Sequence, residues 1–195
     1  MKKIILLLAL SIIVTNSIAQ KKKSSVKSVP LTVFTKVDNL VAEVKNSTFQ
    51  ITINENGIPK DFIEVMRVES KFTPTDCKLT SFKASGTQLY LLTWTESTKT
   101  KTDLKTEDAT TVYSNIYEII SKKLILSNKQ ITSHIVEKVF LDKLKNASET
   151  QERKHTEGLE FKLNLDGSII QKNKTQENKL VYDVAKMQFV ISKKK

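Results

Sequence analysis

From Pro30 onward, apolar and polar residues alternate with a period of two in run after run, the pattern of half-buried strands. Leu31, Val33 and Val37 share one parity, and after Asp38-Asn39 the parity resets for Leu40, Ala42 and Val44. Phe49, Ile51 and Ile53 then alternate with Gln50 and Thr52. Asn54-Glu55-Asn56-Gly57 follows as turn chemistry, because asparagine and glycine tolerate positive φ. Residues 61–69 fit a helical stripe through Phe62, Met66 and Glu69 as well as an alternation; their valine and isoleucine content favours a strand, ended by Pro74. Residues 77–84 and 87–95 flank Ser85-Gly86 as a pair. The run Leu89-Tyr90-Leu91-Leu92-Thr93-Trp94 is apolar on both faces, which predicts a central strand covered on both sides.

The second half is less regular. Residues 97–108 hold threonine, lysine and acid, and read as a strand extension running into a solvated loop. Residues 112–120 alternate Tyr113 and Tyr117 against Val112, Ile116 and Ile120, and the apolar run Leu124-Ile125-Leu126 is short. Over residues 131–144 two readings compete. Ile131, Ile135 and Val139 fit four-residue helical spacing and strand parity alike. Ser148 with Gln151 resembles a capping box, and Gly158 after Arg153, Lys154 and His155 resembles a helix end. A helix polar all round has little to hold it in place, so a long hairpin is preferred, residues 131–141 returning through 148–156. After Gly158, Leu159, Phe161, Leu163 and Leu165 lead into a tight turn at Asp166-Gly167, and residues 168–171 return. Residues 180–182 and 188–191 form a closing hairpin. The expected fold is therefore all-β: an antiparallel meander, a curved sheet or barrel-like, with room for one short helix.

The N-terminus changes the picture of compartment. Lys2 and Lys3 precede an apolar stretch over residues 4–14 broken only by Ser11, and Ser17-Ile18-Ala19 offers small residues for cleavage. Residues 1–19 read as a signal peptide, too short in its apolar part for the roughly 20 residues of a spanning helix. Residues 20–29 read as a disordered basic lead-in, 30–192 as a single β domain and 193–195 as a basic tail, with no transmembrane segment after cleavage. Removing 19 of 195 residues leaves 176, enough for one domain with a sizeable core. The expected location is the periplasm or the extracellular space. The only cysteine, Cys77, excludes an internal disulfide and is expected to be buried.

Charge and candidate chemistry add less. The net charge is +11, but only Arg67 and Arg153 are arginine among 32 basic residues. That speaks against nucleic acid as a partner, since arginine is the residue suited to bidentate phosphate and guanine recognition. Much of the excess sits in the end runs Lys21-Lys22-Lys23 and Lys193-Lys194-Lys195. No Gly-rich phosphate loop, nucleophile elbow or zinc-type His/Cys cluster occurs. Asn164, Asp166 and Gly167 mimic part of a calcium loop, but Lys162 and Asn173 stand where it needs carboxylates. If the long hairpin turns near Leu144 and Lys145, His134 and His155 lie opposite each other; two surface histidines on polar strands is the preferred reading, since two ligands make a poor site. No catalytic, cofactor-binding or metal residue is assigned, and no cofactor is expected.

The pattern Cys77-Lys78-Leu79-Thr80-Ser81-Phe82, then residues 89–96, then 139–142, then Glu160-Phe161 with Asp166-Gly167, resembles small uncharacterised exported proteins of flavobacterial type. The resemblance spans most of the chain after residue 19 and implies no activity. The expectation is a non-enzymatic periplasmic or secreted module for binding or envelope interaction. One alternative is a lipocalin-like carrier of a small apolar molecule, with Tyr90, Leu92, Trp94, Tyr113 and Tyr117 lining its pocket. Another is a structural or adhesive surface protein whose basic face meets an anionic envelope polymer.

Overall fold

The structure, a computed structural model, describes residues 31–69 and 71–192. The expected signal peptide, the lead-in and the tail lie outside the described residues. Thirteen strands and no helix occur among the described residues, and every strand pairs antiparallel with its neighbour in sequence or ends a sheet. The first sheet is β1 (Thr32–Val37), β2 (Leu40–Lys45), β3 (Thr48–Glu55) and β4 (Ile58–Arg67), in that order. The central sheet is β5 (Thr75–Ala84), β6 (Thr87–Lys101), β7 (Lys105–Glu118), β8 (Lys123–Phe140) and β9 (Ser148–Gly158). The third is β10 (Glu160–Leu163), β11 (Ile169–Lys172), β12 (Glu177–Asp183) and β13 (Gln188–Ile191).

Two-residue turns set the registers. Asn46 and Ser47, Asn56 and Gly57, and Ser85 and Gly86 all have positive φ, as the hairpin turn that matches strand twist requires. Residues 61–69 fall largely in β4, where Ile63 pairs with Ile51 and turns inward, so the strand reading holds over the helical one. The capping-box and helix-end readings do not hold. Ser148 is the first residue of β9, opposite Phe140, and Gly158 is its last, opposite Gln130.

The central sheet is apolar on both faces near β6, and each face is covered. Tyr90, Leu92 and Trp94 meet Leu40, Ala42, Val44, Phe49 and Ile51 of the first sheet. Leu89 and Leu91 instead meet Ile169, Leu180 and Tyr182 of the third. This alternation is why the sheets stack in layers and none closes on itself: a sheet apolar on both faces needs a cover on each. The barrel-like version of the fold is thereby corrected, while the antiparallel meander stands.

One glycine closes the end of β9 on β8 and a second fastens the third layer. At Gly158 φ is +84°, and a Cβ would sit 2.2 Å from the Lys129 carbonyl oxygen. At Gly167 φ is +77°, and a Cβ would sit 2.2 Å from the Lys83 carbonyl oxygen, so the β10–β11 turn rests on the end of β5. Only glycine fits a left-handed residue pressed this close to another backbone. That turn is longer than two residues. It closes from Asn164 to Ser168, with the Asn164 amide donating to the Ser168 carbonyl at 2.9 Å, and Leu165 belongs to it and is exposed. Side chains complete the seam: the Ser85 hydroxyl donates to the Tyr182 carbonyl at 2.8 Å, and the Asn128 amide donates to the Leu159 carbonyl at 2.9 Å.

Candidate functional site

Beyond the rung Trp94–Tyr113–Lys129, β6, β7, β8 and β9 run on past both covering sheets as a projecting arm. Sequence reasoning expected a loop over much of residues 97–108. Instead β6 continues to Lys101 and β7 starts at Lys105, and the short strands expected near residues 112–126 belong to strands of 14 and 18 residues. Threonine-rich segments favour extended backbone, and cross-strand pairing on both sides completes the ladder. All of β9 is exposed.

Several of the arm's charges pair with one another. On the face that continues from Trp94, Lys105 pairs with Glu107 at 2.7 Å and Arg153 with Glu137 at 3.3 Å. The Lys105 ammonium, then the Ser133 hydroxyl, hold the Glu107 carboxyl below the usual range. Ile135, between Glu107 and Arg153 in register, is buried, as expected where the stems of long charged side chains cover a central residue. On the opposite face Lys99 pairs with Asp108 at 3.1 Å, and His134 Nε2 lies 2.5 Å from Glu152 Oε1.

His134 and His155, which would lie opposite each other only if the hairpin turned near Leu144 and Lys145, do not pair. His134 stands opposite Lys154, and His155 stands opposite Ser133. The register differs by one residue from the one expected, and since side chains alternate across a strand, this places the two imidazoles on opposite faces. Among the described residues, no group of three or more His, Cys, Asp or Glu side chains is placed to hold a metal. Asp166 is occupied by its own turn, accepting from the Ser168 hydroxyl at 2.6 Å and the Ser168 amide at 2.9 Å, which hold its carboxyl low.

The five side chains expected to line a pocket share one face, and that face is packed. Leu92, Trp94 and Tyr117 are buried, and Tyr90 and Tyr113 pack partly buried against the same cluster. Trp94 stacks on Tyr113 with centroids 4.6 Å apart, meets Phe49 edge-on at 5.3 Å, and donates its indole N–H to Glu96 at 2.8 Å. Cys77 is half-buried at an irregularity of β5 against this cluster, and burial pushes its thiol up to about 11.

Two concave or apolar features remain on the arm. At its root an open cleft of about 720 Å³ lies between the end of β9 and the β11–β12 turn, lined by Lys154, His155, Glu157, Glu160, Lys172 and Lys174 among others. Its charge is mixed, and Lys172 already reaches Glu160 at 3.6 Å. At the far end, Leu104, Leu141 and Leu144 are 46 %, 62 % and 81 % exposed beside Phe140. Sequence reasoning missed this tip; its only signal was leucine standing next to lysine in segments read as polar or ambiguous. No family model, curated protein or solved structure matches the chain.

Proposed function

We propose that this chain is an exported, non-catalytic envelope-interaction module, acting in the periplasm or outside the cell, which presents the β6–β9 arm to a partner. The observation that carries the reading is the arm itself. Ordering a residue costs about 1–2 kcal/mol of backbone entropy, normally offset by burial, and the arm extends where neither covering sheet reaches. A structure maintained without a core of its own is best accounted for by what it contacts.

Other features support a binding role over chemistry. The thiol of Cys77 is held protonated, and the histidines are separated by the sheet. Nothing favours the carrier alternative, because its five lining residues are engaged in packing. Nor does a basic face of the fold favour polymer adhesion. Lys2, Lys3, Lys21, Lys22, Lys23, Lys27, Lys193, Lys194 and Lys195 lie outside the described residues and all 21 acidic residues lie within, leaving 23 basic against 21 acidic groups there.

The test compares the full chain with a version lacking the arm, made by joining Ser97 to Thr110 and Thr132 to Thr156 through Asn-Gly turns at an existing rung of the ladder. Secreted from a Gram-negative host, the intact protein is expected to appear trimmed near Gln20 and to co-sediment with isolated envelopes, and the armless one to stay in the supernatant. Equal behaviour of the two would remove the reading.

A further inference from the structure

We propose that the tip of the arm docks on an anionic lipid bilayer, with its leucines entering the interface and its lysines meeting the headgroups. This rests on the reading of the chain as an envelope-interaction module. The pairing of Lys105 with Glu137 and the bond from the Lys138 amide to the Leu104 carbonyl, 2.7 Å, set the β6–β7 turn beside the end of β8. Leu104 thereby joins Phe140, Leu141 and Leu144 at one end of the arm. Ile58, Ile120 and Leu165 are exposed as well, but at three separate turns.

The tip is also built rather than loose. The Asp142 carboxylate accepts the Asn146 and Ala147 amides, each at 3.0 Å, and the Leu141 amide donates to the Ala147 carbonyl at 3.0 Å. This turns the acid of the loop inward onto backbone and leaves Leu144 near the apex. Lysines stand about the apolar group, with the exposed acids Asp103 and Glu149 among them: the Lys138 and Lys145 ammonium groups lie 5.7 and 5.4 Å from the Phe140 ring centre, and Lys101 and Lys143 flank the two turns.

Shape and charge together select the occupant. A projecting loop end is convex and cannot offer the roughly 800 Å² per partner that a stable protein interface buries. Lysine is depleted in protein–protein interfaces, whereas lysines around exposed leucine and phenylalanine suit a bilayer with anionic headgroups, where the stems lie along the apolar layer and the ammonium groups reach phosphate.

Co-sedimentation of the full chain from Gln20 with vesicles tests this. Vesicles of phosphatidylcholine mixed with phosphatidylglycerol are expected to bind it, phosphatidylcholine alone far less, and added salt to release it. Leu141→Asp with Leu144→Asp should lower partitioning about a hundredfold, the cost of withholding two leucines from an apolar phase, with an unchanged circular dichroism spectrum. Lys143→Gln with Lys145→Gln should lower it about tenfold or more. Parent-like binding by the leucine variant would assign binding to the lysines outside the described residues and overturn the proposal. So would a concentration-dependent dimer abolished by the same variant, which would make the occupant a second copy. Envelope association that needs the arm, without vesicle binding, would sink the lipid inference alone; loss of both would sink the module reading as well.

Discussion

Cys77 shows how one side chain couples packing and pH. Partial burial against the aromatic cluster restrains the lone thiol. Burial disfavours the thiolate and pushes the folded pKa up to about 11, above the ordinary thiol value. Raised in the fold, the group contributes stability that is complete below about pH 9, where both states are protonated, and that is lost as pH climbs toward 11 and the unfolded chain ionises first. Urea titrations of the protein and of Cys77→Ala should therefore differ by a margin that shrinks between pH 9 and 11. A constant margin would mean that the thiol ionises alike in both states. Trp94 makes the complementary point. Its indole reads from the sequence as a core anchor, and it is one, because Phe49 and Tyr113 clamp its ring while Glu96 satisfies its N–H.

At the scale of elements, strands were legible wherever one face is buried. Phe49, Ile51 and Ile53 alternate in sequence because one side of β3 meets the apolar core while Gln50 and Thr52 on the other are buried in a polar cluster with Glu43, and Leu89 to Trp94 loses alternation because both sides of β6 meet apolar cores. The arm was legible in part: residues 97–108 read as running into a loop, whereas the hairpin expected over residues 131–141 and 148–156 is the β8–β9 pair, although β9, exposed throughout, has no apolar parity of its own. Register there is set by a turn and by charge pairs, not by a hydrophobic stripe, so a one-residue error in the turn misplaced His155 without disturbing any visible pattern. The candidate site was illegible because its members, Leu104 and Leu144, are distant in sequence and are brought to one end of the arm only through the β7–β8 ladder. A further consequence concerns stability. If the two cores hold the molecule together, the armless version should melt within a few degrees of the parent, about 1 kcal/mol corresponding to 2–4 °C at this size. In the parent, amides of β9 should exchange well before those of residues 89–94, because opening the arm exposes no core. A drop of tens of degrees in the armless protein would show that the arm is structural.

For the whole molecule, charge and fold separate. The chain carries +11, yet the described residues carry 23 basic and 21 acidic groups, so the three-layer body is nearly neutral and the excess belongs to the two ends. Within that body the charges are interspersed and often paired, as Lys60 with Glu55, Lys122 with Asp61 and Lys186 with Asp183. Non-specific affinity for a polyanion scales with the number of cations that displace counterions, and so with the ends and not with the sheets. Replacing Lys21, Lys22, Lys23 and Lys27 by serine and ending the chain at Ser192 removes seven positive charges and touches no residue of either core. Retention of this variant on heparin should collapse, and the slope of affinity against salt should flatten toward zero, while its melting temperature stays that of the parent. Salt-dependent retention that also survived Lys143→Gln with Lys145→Gln would place a second cationic surface on the folded body, apart from the tip. Because the tip retains Lys138, Lys143 and Lys145 in this variant, residual binding to phosphatidylglycerol vesicles combined with lost heparin binding would separate recognition by the tip from simple attraction by the ends.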